Sequence, residues 1–182
     1  HLSHGQWGGI YTLGTAASAV VMIWAGGLTD RFRVRLIGAA TLACLALSCL
    51  IMALAPSPWM LPLAVFALRL TGQGMMMHTS VVAMGRWFLA SRGKALSIAT
   101  LGGNVGEALL PLIFTALLAS YDWRLLWVVA ACIVLLGIPL LIGLLRHERT
   151  PHSSTTSAES AGMSDRHWTR NQALAHWLFW FM

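Results

Sequence analysis

The apolar positions of this chain fall into five long unbroken runs, at residues 8–28, 36–55, 60–84, 95–119 and 125–145, separated by short polar turns. Crossing the hydrocarbon core of a bilayer takes about 20 apolar residues in a helix, and each run is that long. Strands of a membrane barrel would alternate with period two over about 10 residues, whereas these runs are apolar at consecutive positions. The pattern predicts an all-α, polytopic transmembrane bundle. A further run starts near Asn171 and is interrupted at Met182, and the chain opens on His1 with no signal-peptide layout. Both features suggest an internal piece of a longer protein. The expected organisation is a helical bundle over residues 1–145, a Ser-, Thr- and charge-rich loop over 146–170 whose composition favours disorder, and the start of another helix over 171–182.

Composition agrees with the pattern: 57% of residues are hydrophobic and 10% charged, and the mean hydropathy of +0.70 is too high for a soluble domain of this size. The basic balance, +6 at neutral pH, first raises the question of nucleic acid. The placement of the charges answers it. Arg31, Arg33 and Arg35 follow the first run, Arg86, Arg92 and Lys94 the third, and Arg146, Arg149, Arg166 and Arg170 the fifth, so ten of the twelve Lys and Arg side chains lie in alternate connections. Basic residues accumulate in cytoplasmic loops of membrane proteins. The rule orients the chain and accounts for its charge without a nucleic-acid partner; Pro56 to Trp59 and Ser120 to Arg124 become external. Cys44, Cys49 and Cys132 lie within apolar runs without metal-ligand spacing and read as small hydrophobes. No metal, cofactor or enzymatic constellation is expected.

The runs differ in polarity. The second carries only Thr41 and Ser48, and the fifth has no charged, amide or hydroxyl side chain. Helices apolar all round belong against lipid, so these two are expected at the periphery and the first, third and fourth inside. At about 100° per residue, Arg69, Gln73, Met76 and Ser80 share a face of the third run, with His78 nearly opposite Arg69. Arg69 and His78 should therefore not share a site; His78 is either a hydrogen-bonded packing group or a substrate ligand. Thr100, Gly103, Asn104, Glu107 and Pro111 form a stripe on the fourth run. A charge near the bilayer centre costs several kcal/mol unless paired or hydrated, so Arg69 and Glu107, at similar depth, imply either a mutual ion pair or a polar pathway. The expectation is that both face a central cavity and that Glu107 is the proton-titrating group. Gly102, Gly103 and Gly106 make a small-residue patch suited to close helix packing.

Residues 26–35 lie between the first two runs and read Gly-Gly-Leu-Thr-Asp-Arg-Phe-Arg-Val-Arg. Gly26, Leu28, Asp30, Arg31, Phe32 and Arg35 match the cytoplasmic signature Gly-x-Leu-Ala-Asp-Arg-Phe-Gly-Arg-Arg of the major facilitator superfamily, with Thr29 for Ala and Arg33 for Gly. Arg69 followed by Gly72, Gln73 and Gly74 resembles the fourth-helix motif of that family. Arg86-Trp87-Phe88 with Arg92-Gly93-Lys94-Ala95-Leu96 is similar to its next loop, and Asp122-Trp123-Arg124 to its Gly-Trp-Arg before helix six. Glu107 stands where the antiporter signature on helix five has Pro.

The resemblance implies a secondary transporter, covering helices two to six and the start of helix seven in the N-terminal half of a fold of two six-helix halves, with alternating access about a midplane site. It implies Asp30 as a lock against a helix end of the other half, Arg69, Gln73, Asn104 and Glu107 as cavity or coupling residues, and the bilayer, protons, a small solute and the missing helices as partners. The loop elements look closest to branches carrying small organic anions, in the plasma membrane, as in the bacterial inner membrane. Proton-driven drug or metabolite efflux is the alternative, and a channel the rival from another class.

Overall fold

The computed structural model describes residues 3–88 and 91–146. Within them every regular element is helical, and five helical stretches are long and apolar enough to cross a membrane. The expected loop over 146–170, beyond Arg146, and the run from Asn171 lie outside the described residues.

Helix α1 spans His4–Ala25 and starts earlier than the apolar run suggests. The reason is a capping box. Ser3 Oγ accepts from the Gln6 amide at 3.2 Å and Gln6 Oε1 accepts from the Ser3 amide at 2.9 Å, so two otherwise unpaired end groups are satisfied. After Gly26 and Gly27 comes a one-turn helix, α2, Leu28–Arg31, and then extended backbone at Phe32 and Arg33 that turns the chain into α3, Val34–Leu54. The turn at residues 26–35 is thus half helix and half extended link.

The third run departs most from expectation. It enters through a 3₁₀ turn, Pro58–Met60, continues as α4, Leu61–Leu68, widens to a π-helix over Arg69–Met76, and returns to α-helix in α5, Met77–Trp87. The regular 100° spacing used to place Gln73 and Met76 relative to Arg69 therefore fails within it. Two of its eight residues, Gly72 and Gly74, are poor helix formers. They also leave room for neighbours: a Cβ on Gly74 would lie 3.3 Å from Met22 Sδ of α1, and one on Gly72 would lie 3.4 Å from Leu45 Cδ1 of α3. Thr71 Oγ1 donates back to the Ala67 carbonyl at 2.7 Å. Helix α6 then spans Arg92–Leu118 and α7 Trp123–Leu144.

Helix α3 sits between α7 on one side and α4, the π-helix and, more lightly, α5 on the other; α1 packs on α4 and the π-helix, and α6 lies on α5 with a lighter contact to α7. The second span was expected at the periphery, and among the described residues it packs on both sides instead. It is the most enclosed of the five. Its buried residues mix Val34, Ile37 and Leu42 with the small Gly38, Ala46, Ser48, Cys49 and Ala53, which let two neighbours approach at once, while Leu36, Leu47 and Leu54 remain exposed opposite. Side-chain size decided the packing where polarity could not. A Cβ on Gly38 would come to 3.2 Å from Leu141 Cδ1 of α7. At the end of the bundle away from the arginine-rich turn, Arg124 stands over the Trp123 ring and donates from Nη2 to the Ala55 carbonyl at 3.3 Å, tying α7 to the residue that caps α3. The polar fourth span, by contrast, buries none of its residues among those described.

Among the described glycines the least room is at Gly14 of α1, where a Cβ would meet Val65 Cγ1 at 2.9 Å, the Phe66 amide nitrogen at 3.0 Å and the Pro62 carbonyl at 3.1 Å. Two of those atoms are backbone and cannot swing aside. Gly14→Ala is expected to cost about 1–3 kcal/mol by overpacking, read as a lower melting temperature of purified protein in detergent. Gly9→Ala, whose Cβ meets nothing within 4 Å, should not lower it; equal melting temperatures for the two variants would show that α1 and α4 do not meet at Gly14.

Candidate functional site

The chemistry-bearing side chains gather in two places along the third span, and a third set stands on α6. The first place is where α4 passes into the π-helix. Side chains on a helix tilt toward its N-terminus, and Arg69 follows that rule, reaching back to α1, where its Cζ lies 4.7 Å from the centre of the Tyr11 ring. Its Nη1 donates to Gln73 Oε1. Tyr11 is therefore the cation–π partner and Gln73 the hydrogen-bonded one. A guanidinium held this way keeps its charge over an aromatic ring and one N–H on an amide, and its remaining donors are those with which a carboxylate is bound by two parallel hydrogen bonds. Arg69 is half-buried, and Tyr11 and Gln73 are exposed.

Glu107 does not complete this group. Among the described residues no ion pair joins it to Arg69, which corrects the mutual-pair alternative. The packing gives the reason: α6 rests on α5 and α7 rather than on the π-helix, and Arg69 is occupied by Tyr11 and Gln73. Glu107 and Asn104 are both exposed on α6. Pro111 lies inside that helix and has no N–H to give to the Glu107 carbonyl four residues earlier. The Glu107 backbone is left polar at the same point as its side chain. Thr100 is satisfied within the helix, its hydroxyl 3.0 Å from the Leu96 carbonyl. A Cβ on Gly102 or Gly103 would meet nothing within 4 Å, and one on Gly106 only Leu110 of the same helix. No described helix packs on this patch; the close glycine contacts are at Gly14, Gly38 and the π-helix instead.

The second place is the arginine-rich end. Asp30 in α2 and Arg86 at the end of α5 form an ion pair, with Nη2 to Oδ1 at 2.6 Å, and Arg86 Nη1 donates to the Thr29 carbonyl at 2.8 Å. Two N–H groups of one guanidinium thus hold consecutive residues of the turn. Thr29 is fully buried, whereas the Asp30 side chain is 73% exposed. Leu28, Phe32, Arg31 and Arg33 are also exposed, and Arg35 is half-buried. Eight residues before Arg86, His78 Nε2 lies 3.2 Å from the Gly26 carbonyl and 3.3 Å from Thr29 Oγ1. Arg69 and His78 are in separate environments, as expected, although the π-helix between them breaks the regular spacing on which that expectation rested. Arg92 Nε donates to the Gly85 carbonyl at 3.0 Å, closing the connection between α5 and α6.

Two of these pairings, Arg69 with Tyr11 and Asp30 with Arg86, are not legible in the sequence. Tyr11 belongs to the face of α1 that also carries Gly14, Ser18 and Met22, and a phenol in line with Ser18 is the signal available for it. Arg86 stands out as a basic loop and motif residue but not as the partner of Asp30, because a pairing across more than fifty positions leaves no local mark.

A family model described as Major Facilitator Superfamily matches residues 1–182, while no curated protein and no solved structure matches the chain. With its five membrane-spanning helices and the Asp-Arg turn at one end of the bundle, this chain belongs to the major facilitator superfamily of secondary transporters.

Proposed function

We propose that the chain is part of a proton-coupled carrier of small organic anions in a plasma membrane, the bacterial inner membrane by this reading. The observation that carries the anion reading is Arg69, poised between Tyr11 and Gln73 with donors to spare. A cation at membrane depth persists where it has a partner or a function, and a fork that lies over an aromatic ring and is half-buried suits a carboxylate better than a bulky cationic drug. Substrate would bind between the two halves of the complete fold, with the polar stripe of α6 turned to helices beyond those described here. Gly102, Gly103 and Gly106 would then pack against one of those helices.

In this scheme Glu107 carries the proton. It is placed on an exposed face of α6, next to a backbone carbonyl deprived of its helical donor, and it has no cation tied to it among the described residues. A carboxyl in such a position can gain and lose a proton as the cavity opens to either side. Glu107→Gln in the complete carrier, reconstituted in proteoliposomes, is expected to remove the response of radiolabelled lactate uptake to an imposed pH gradient while leaving counterflow exchange of the same probe. A gradient response equal to that of the parent protein would exclude Glu107 as the proton carrier. Efflux of drugs or metabolites is the competing reading, supported by the Gly102 and Gly106 spacing that the chain shares with the antiporter signature.

The half-bundle alone should not transport. Its α6 stripe and Arg69 cluster would face lipid without the partners they require, and uptake catalysed by residues 1–182 alone would overturn that expectation.

A further inference from the structure

His78 takes part in neither the anion cluster nor the proton-bearing stripe, yet its ring nitrogen lies within hydrogen-bond distance of two oxygens of the Asp30 turn. The Gly26 carbonyl is a hub. It accepts from the Thr29 amide at 3.3 Å and from the Thr29 hydroxyl at 2.7 Å, and His78 Nε2 is 3.2 Å away. Because the Thr29 hydroxyl proton is directed to Gly26, Thr29 Oγ1 presents a lone pair to His78, 3.3 Å off. Both neighbours of Nε2 are then acceptors, so Nε2 carries the proton and donates. Gly26 is fitted to the ring: a Cβ there would lie 3.4 Å from Nε2 and 3.2 Å from the Met22 carbonyl. Thr29, at the centre of the network, has no exposed surface.

The position of His78 in the chain gives this contact its meaning. It is the second residue of α5, immediately beyond the π-helix that begins at Arg69. Any change in how that wide turn is wound moves His78 about the helix axis before it moves Arg86, two turns further on. His78 therefore connects the segment that starts at the anion-binding Arg to the turn that carries Asp30.

We propose that His78 is a positioning residue for the conformational step of transport: its Nε2–H, clamped on the Gly26 carbonyl and the Thr29 hydroxyl, seats the Asp30 turn against α5 and ties it to the π-helix. With Arg86 on the Thr29 carbonyl and the Asp30 carboxylate, the turn is held at two levels. Arg86 fixes its outer edge and His78 its root. The proposal rests on the reading of the Asp30 turn as a switch between conformations.

The complete carrier in nanodiscs, without substrate, tests it with four proteins: the parent, two His78 variants and Asp30→Asn. His78→Leu keeps apolar volume but removes the donor; His78→Gln keeps an N–H at similar reach. Hydrogen–deuterium exchange over residues 27–32 is expected to speed up about tenfold in His78→Leu, the effect of losing one partly buried hydrogen bond, and to return to within about threefold of the parent in His78→Gln. Spin-label distances across the arginine-rich end should show the ratio of open to closed states shifted about fivefold in His78→Leu and restored in His78→Gln. A melting temperature unchanged in His78→Leu, with exchange altered only in the turn, separates positioning from general unfolding. The proposal is overturned if His78→Leu exchanges like the parent, if His78→Gln is no better than His78→Leu, or if the turn loosens with no shift in the open-to-closed ratio. Failure of the switch reading has another signature: Asp30→Asn leaves that ratio unchanged while the exchange contrast between the two His78 variants persists.

Discussion

Uptake of a small carboxylate such as lactate should fall by about a hundredfold or more in kcat/KM when Arg69 is replaced by Ala, and Arg69→Lys should recover little of it. A desolvated, hydrogen-bonded charge pair costs about 2–5 kcal/mol to break, and 1.4 kcal/mol is tenfold in an equilibrium. The lysine variant discriminates more finely. It keeps the positive charge, so a carrier that used Arg69 only as a point charge would survive it. Lysine cannot, however, offer two parallel donors in one plane or place a flat cation over the Tyr11 ring. Tyr11→Phe keeps the ring beneath the guanidinium and should transport within about threefold of the parent, whereas Tyr11→Leu removes a contact worth about 0.5–2 kcal/mol and should raise KM. The measurement is initial-rate uptake by proteoliposomes holding equal amounts of each variant of the complete carrier. Parent-like kinetics for Arg69→Lys would remove the reason for assigning an anionic substrate and leave efflux of another chemical class as the better reading.

Much of the fold could be read along the chain because a bilayer imposes its demands locally. A span must be apolar over a fixed length, its ends must carry the charges, and the Lys and Arg count alone orients it. The all-helical bundle and its five spans follow from those rules. What could not be read arose from contacts between segments. The polarity ranking put the second span at the rim, but helix association in lipid depends on close packing of small side chains rather than on hydrophobicity, and Gly38, Ala46 and Cys49 draw α3 between two neighbours. The π-helix at Arg69–Met76 escaped because glycine content marks a weak segment without saying which way its hydrogen bonds will shift. Arg69 and Asp30 stand out in the sequence, the first as a charge at membrane depth and the second within a matched signature. Their partners do not. Tyr11 and Arg86 come from distant positions, and only the parallel packing of α1 beside the third span brings them into reach.

Asp30→Asn is expected to change the balance between the two conformations of the carrier while leaving its folding nearly intact, and the structure gives the reason for separating the two effects. An ion pair with one side chain 73% exposed contributes at most about 1 kcal/mol to stability, so the melting temperature should move by no more than a few degrees. The same energy acts differently on an equilibrium between states of similar free energy, where 1 kcal/mol is about a fivefold change in ratio. Asp30 Oδ1 is held by Arg86, and in the proposed scheme the exposed remainder of the carboxylate meets a helix N-terminus of the other half, where a negative charge is stabilised. Neutralising it should weaken the closed arginine-rich end in particular. Arg86→Gln tests the same contact from its other side. It frees the Asp30 carboxylate and removes the donor to the Thr29 carbonyl, so it should loosen the turn as well as shift the ratio. The charge-reversed pair Asp30→Arg with Arg86→Asp should recover less than half of the lost transport, because a carboxylate at position 86 cannot donate to the Thr29 carbonyl. Spin-label distances across that end, together with turnover in proteoliposomes, measure both quantities. If Asp30→Asn keeps the parent ratio and the parent turnover, the pair with Arg86 only fastens α2 to α5, and the conformational bias of this half must originate elsewhere in the bundle.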